Sequence, residues 1–299
     1  MTNKLTASLM VGCLCAIMAG SVSAMELNSS VEASYMSKYM WHGLEVYGSK
    51  SASSVDFNVE LDDSGFYFGT QYITPNGSGN VNSRYFDEEE PDNVSLTDMA
   101  KYIYYGGYMV SLFETDVFKT DIDIRYMYHD YNRMSSDVLD QQEASLFAQW
   151  TELLPLGLTP YYKTAYVWDA DSGRRKQLLL NPGFPPSWDY QGDDRNSGMR
   201  GWFHLIGLAY DLPVDMPAIG MSSVRFIVDT EFNDGVMVTD DISKGGGSEW
   251  THMTTGAETE LAIGPGSMCF GVYYQHALVD DYVYINNTFY SIAGYKLEF

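Results

Sequence analysis

The chain has five histidines and forty acidic residues, and two spacings among them could support acid–base chemistry. His129 is followed directly by Asp130, and His276 precedes Asp280 and Asp281. A histidine beside a carboxylate can act as a general base or activate a hydroxyl nucleophile, as hydrolases require. Neither pair is accompanied by a Gly-x-Ser-x-Gly elbow. Such histidines more commonly anchor an aromatic belt or a hydrogen bond, so no enzyme is expected. Cys269 has no neighbour that would activate its thiol and reads as a small wall residue. The acidic stretches "FDEEEPDN" (86–93) and "DADSG" (169–173) carry ligands suited to Ca²⁺ or Mg²⁺ but lack the spacing of a dedicated metal loop. They read as solvated surface, loosely bridged by divalent ions to lipopolysaccharide. No cofactor and no resident metal is expected.

Most of the remaining charge sits at alternate positions. In "VFKTDIDIRYMYHD", Phe118, Thr120, Ile122, Ile124, Tyr126 and Tyr128 share one parity, opposite Lys119, Asp121, Asp123 and Arg125. In "VRFIVDTEF", Val224, Phe226 and Val228 oppose Arg225, Asp229 and Glu231. "SVDFNVEL" and "HMTTGAETELAI" repeat the pattern, with Asp56 and Glu60 in the first and Glu258 and Glu260 in the second. Alternation of this kind marks strands with one apolar and one polar face. Twelve such runs are expected, near 31–41, 53–61, 65–74, 99–112, 117–129, 142–152, 158–168, 200–211, 223–232, 250–263, 267–278 and 288–299. The runs at 99–112 and 200–211 are nearly apolar on both parities, which leaves their facing open.

Connections between the runs alternate between short ("DDSG", "FETD", "LLPLG", "GPG") and long (75–98, 169–199, 233–249). Outer-membrane barrels have this asymmetry, with tight periplasmic turns and longer external loops. The expected fold is therefore all-β, a transmembrane antiparallel up-and-down barrel of about twelve strands. An even strand number puts both chain ends on the periplasmic side, with the last strand closing against the first.

The ends of the sequence agree with export and insertion. "MTNKLTASLMVGCLCAIMAGSVSA" has one Lys, an apolar stretch and small residues before Met25, so residues 1–24 read as a cleaved secretory signal and 25–299 as the barrel. Cys13 and Cys15 leave with the signal, and Cys269 alone permits no intramolecular disulfide. The chain finishes on "GYKLEF", where Tyr295, Leu297 and Phe299 share a parity. That ending resembles the C-terminal signal read by the bacterial barrel-assembly machinery. The formal charge of −23 argues against a nucleic-acid partner. The expected partners are outer-membrane lipid, lipopolysaccharide, the assembly machinery and small solutes.

By parity the inward face carries Glu32, Asp56, Glu60, Asp121, Asp123, Glu143, Asp229, Glu231, Glu258, Glu260 and Glu298, against Lys38, Lys119, Arg125, Lys163, Arg225 and Lys296. A polar wall of mixed charge wets a pore, and its acidic excess leans toward cations. The alternative is a narrow barrel filled by salt-bridged ladders. In 169–199, Arg174, Arg175 and Lys176 precede Leu178, Leu179, Leu180, Phe184 and Trp188. This segment either folds into the mouth as a gate or packs on neighbouring loops.

The stretch "ASYMSKYMWHGLEVYGS" with "DDSGFYFGTQY" resembles the start of the outer-membrane porin family often labelled TorF. The resemblance rests on Ser37, Tyr39, Trp41, His42 and Gly43 leaving the first strand, and on Ser64, Gly65, Phe66 and Tyr67 entering the third. It departs at His42, where Arg is commoner, and at "LEVYG". It implies an outer-membrane barrel with a channel role and names no cargo. An outer-membrane hydrolase and a non-conducting structural or adhesive barrel are the rival readings.

Overall fold

In the computed structural model, residues 27–48, 50–61, 64–76, 100–131, 140–170, 201–216, 221–238, 246–279 and 285–299 are described. Twelve strands close into an antiparallel barrel: β1 (Leu27–Met36), β4 (Ala52–Leu61), β5 (Phe66–Pro75), β6 (Lys101–Leu112), β7 (Thr120–Tyr131), β8 (Gln141–Gln149), β9 (Leu158–Asp169), β10 (Gly201–Met216), β11 (Met221–Val238), β12 (Gly246–Ile263), β13 (Gly266–Ala277) and β14 (Thr288–Glu298). Each pairs with its sequence neighbour in the barrel, and β1 pairs with both β4 and β14. The remaining strands, β2 (Met40–Trp41) and β3 (Leu44–Glu45), form a separate two-stranded hairpin.

Period-2 patterning sets the facing. Phe57, Ile124, Leu146, Ile206, Phe226, Val228 and Val272 are exposed on the outer surface, Ile206 at 52%. Soluble proteins rarely carry a continuous apolar exterior of this kind. Here it girdles a sheet with no free edge, the arrangement a bilayer demands. The molecule is a transmembrane β-barrel of outer-membrane type. Aromatic rings concentrate on its outer face: Trp202 lies beside Tyr166 and His204, and Phe232 meets Trp250 edge-on. A register shift between Glu231 and Phe232 accompanies this contact. It leaves Trp250 exposed outside while Thr251 and His252 are buried, as an extra strand residue allows.

Several expected boundaries move. The run at 31–41 ends early: β1 stops at Met36, and the chain after it enters the barrel. Strand β8 stops at Gln149, and a 3-10 turn at Pro155–Gly157 precedes β9. The long connection at 233–249 contracts, because β11 runs to Val238 and β12 starts at Gly246.

Candidate functional site

The short-turn half of the lumen is charged and wet. Asp56, Glu60, Asp121, Asp123 and Glu258 are partly exposed there, Glu260 is exposed, and the Arg125 side chain is 39% exposed. Tyrosine hydroxyls organise this wall. Tyr105 Oη donates to Asp56 (2.7 Å), and Tyr273 Oη donates to Glu258 (2.8 Å). Tyr67 Oη donates to Asp123 while accepting from Arg125 Nε at 2.7 Å, and Arg125 Nη2 reaches Asp123 Oδ2 at 2.8 Å. The Tyr67–Asp123 bond spans from β5 to β7. It crosses Gly107 of β6, where a Cβ would overlap the Tyr67 ring.

The other half of the lumen is filled by the chain itself. After Ser37, whose N–H still bonds Ser291 on β14, residues 39–46 turn inward as the β2–β3 hairpin. His42 (φ 48°) and Gly43 (φ 77°) form its two-residue turn; positive φ at both positions is the type I′ pattern. A side chain at Gly43 would strike His252, with Cβ 2.5 Å from its Nδ1. Val46 N–H closes the hairpin onto the Tyr39 carbonyl.

Apolar contacts seat the hairpin on both sides. Leu44 packs with Ala165, Val167, Phe203, Val236 and Ile285. Tyr39 and Tyr47 pack with Met36, Ala52, Ile73 and Ile103. These inward-facing apolar residues explain why the runs at 99–112 and 200–211 carry hydrophobic residues on both parities. One face meets lipid and the other meets the hairpin.

Polar contacts fix the hairpin tip. His42 Nδ1 lies 2.8 Å from Glu231 Oε2, and its Nε2 lies 3.5 Å from Glu143 Oε2. With a carboxylate on each nitrogen, the imidazolium form donates on both sides. Burial pulls the His42 pKa down, but the Glu231 and Glu143 carboxylates outweigh it, and the pKa ends above its ordinary value. Phe203 stacks on the ring at 3.9 Å, and Trp41 meets it edge-on. Lys163 Nζ stands 3.4 Å from Glu143 Oε1, and His129 Nε2 stands 3.6 Å from Glu143 Oε2. Gln275 donates to the Gly43 carbonyl at 2.8 Å. Nearby, Lys101 is fully buried, donates to Tyr39 Oη and lies over the rings of Tyr39, Trp41 and Tyr131. Among the described residues, no group of His, Cys, Asp and Glu is arranged to hold a metal ion.

The residues singled out by parity thus fall at different levels. Glu143 and Glu231 are buried against the hairpin, and Asp229 accepts from Tyr161 Oη at 2.8 Å in mid-barrel. Arg225 Nη1 lies 3.7 Å from Asp211, and Glu32 is half-buried on β1. Lys38 is no strand residue: it lies past the end of β1 and bonds Glu45 and Thr288. Lys119 lies in the turn before β7, so strand parity does not assign its facing. Lys296 pairs with Glu298 at the short-turn end. Tyr295 Oη donates to the Ile263 carbonyl, while Leu297 and Phe299 are exposed. His129 is 1% exposed inside the lumen, not at an open rim. His276 is exposed with Asn287 as its partner. Arg174, Arg175, Lys176, Asp280, Asp281 and the signal segment lie outside the described residues.

Sequence parity missed the hairpin and the inner tyrosines. The local signal for the first was His42–Gly43 between Trp41 and Leu44.

No protein-family model matches the sequence, and no curated protein does. Solved structures of similar architecture include the NanC porin, at 11% identity and TM-score 0.45, covering 90% of this chain and 97% of that one. An outer membrane channel from Pseudomonas putida F1 aligns at 10% identity and TM-score 0.43, over 94% and 98% of the two chains. LpxR from Salmonella typhimurium aligns at 7% identity and TM-score 0.39, over 90% and 99%.

Proposed function

We propose that the chain is exported by its N-terminal signal, inserted by way of its C-terminal aromatic signal, and acts as a channel for small hydrophilic solutes with a cation preference. The observation that carries this reading is the division of the lumen. Asp56, Glu60, Glu258, Glu260 and Arg125 present charge to solvent below a seated hairpin. Charge that stays solvated inside an apolar-jacketed barrel avoids the cost of burial and requires a water-filled space, as a conducting path does. The TorF-like stretch that follows the first strand supports the same role.

A hydrolase is the weaker reading. It would need a histidine open to substrate and paired with a carboxylate: His129 is sealed beside Trp41 and Glu143, and the exposed His276 has the Asn287 amide as its partner. Conductance in a planar bilayer tests the proposal, with the mature chain compared to one whose residues 39–46 are replaced by a short Gly-Ser link. Discrete current steps that enlarge in the second protein are expected. Silence from both, in correctly folded barrels, would refute a channel and leave a hydrolase or a structural or adhesive barrel.

A further inference from the structure

We propose that the 39–46 hairpin is a gate, latched shut by the contact of His42 with Glu231 and Glu143 and released as pH rises. The inference rests on the channel reading for its consequence, but not for its mechanism.

His42 is the hairpin's own side chain that meets two wall carboxylates. The groups facing it come from every side: Glu143 on β8, Glu231 on β11, His129 on β7, His252 on β12 and Lys163 on β9, with Lys101 on β6 nearby. Phe203 on β10 and Gln275 on β13 add no charge. Lys38, just before the hairpin, joins the hairpin's Glu45 at 2.7 Å to Thr288 on β14, a link that does not titrate with His42. Two buried carboxylates therefore meet Lys163 and, when protonated, His42. If His42 loses its proton in place, one carboxylate is left without a counter-charge in a dry site, which is costly. Withdrawal of the hairpin would let water reach both.

The sign follows from linkage. His42 has a raised pKa when seated and reverts toward its ordinary value of 6.5 when released. The proton's contribution to the seated state is complete below that ordinary value. It is lost as pH climbs through the raised one. Low pH holds the gate, and raising the pH through the seated His42 pKa frees it. The closed state also needs its apolar seat around Leu44, Tyr39 and Tyr47, so release is a shift in population and not an unfolding.

The test reads the hairpin directly. The full mature chain carrying Leu44→Cys with Cys269→Ser is reconstituted in liposomes and treated with a membrane-impermeant trimethylammonium methanethiosulfonate. Rates at each pH are normalised to the denatured chain, which removes the intrinsic reactivity of the thiolate. Labelling should rise severalfold as pH climbs from below the ordinary histidine value to well above it, the direction that the raised pKa dictates. Glu231→Gln should move the midpoint to lower pH, and His42→Gln should label fast at every pH. Val46→Cys provides a second reporter should Leu44→Cys loosen the seat. A flat profile in both reporters, or a rise that His42→Gln leaves unchanged, would overturn the latch. Current is recorded in parallel. Release without current supports the latch and sinks the channel. A pH-dependent current with both cysteines protected keeps the channel and sinks the latch.

Discussion

Tyr161 Oη donates a 2.8 Å hydrogen bond to Asp229 Oδ2 from two strands away, over Gly207. The three residues lie level: Gly207 pairs with Tyr161 on one side and with Asp229 on the other. The missing side chain is what lets the ring lie flat along the wall, since a Cβ on Gly207 would overlap it. Tyr67, Gly107 and Arg125 form a second level row on β5, β6 and β7. Such crossings brace alternate strands and hold carboxylates in fixed positions on the lumen wall.

Gly207→Val should therefore destabilise the barrel by about 1–3 kcal/mol through overpacking and displacement of Tyr161. Gly106→Ala is the control, because its Cβ would find nothing nearer than 3.6 Å. Urea unfolding from liposomes measures both. Equal costs would mean that the tyrosine crossing contributes nothing.

Closure supplies a second test. Ser29 and Phe299 exchange both backbone hydrogen bonds at 2.9 Å, so the last residue is part of the seam. Deleting Phe299 removes that pair and the terminal ring together. Export should persist while heat-modifiable barrel in the outer membrane falls severalfold. Unchanged barrel levels would separate the C-terminal aromatic from assembly.

Facing is tested by arginine placed on each surface. Ile124→Arg or Val228→Arg puts a charge on the outer belt, at a cost of about 2–4 kcal/mol near the midplane. Glu260→Arg, at an exposed lumen position, should cost far less. Asp229 is a poor control despite its inward facing, because it anchors Tyr161. Similar losses at Val228 and Glu260, measured by reversible folding into liposomes, would contradict the observed register.

The barrel was legible in the sequence because a two-sided strand writes its environment every second residue. Val55, Phe57 and Val59 against Asp56, Asn58 and Glu60 specify both faces without reference to any partner. The hairpin was not legible in that way. Tyr39 and Trp41 continue the alternation of Tyr35, so the first run appeared to extend to residue 41. The contact that ends it, His42 with Glu231, joins positions 189 residues apart, which no local period encodes. Two strands did carry a mark of it. Ile103 and Phe203 are apolar residues on the lumen parity, as expected where the barrel interior is packed and not wet. The inner tyrosines were hidden for a related reason. A tyrosine reads as belt or wall by parity alone, and only Gly107 or Gly207 on the adjoining strand shows which way its ring can lie.

The proposed channel role predicts a selectivity set by the charges at the wet end of the lumen. Arg125 is committed to Asp123, and Arg225 lies 3.7 Å from Asp211. Glu260 is exposed and Glu258 accepts from the neutral Tyr273, so acidic groups outnumber basic ones on this part of the wall. A low-dielectric wall focuses that field and enriches cations in the lumen. Screening acts over about 8–10 Å near physiological salt, so the preference should be strong in dilute KCl and fade as salt rises. The reversal potential across a KCl gradient measures it, in the chain lacking the 39–46 hairpin so that the wall alone is read. Glu258→Gln combined with Glu260→Gln should move the potential toward zero. The basic residues Arg174, Arg175 and Lys176 add a competing charge if their segment reaches the mouth, so a second deletion of 172–190 accompanies the first. Anion preference that persists through both deletions would mean that the acidic wall does not govern the ion path.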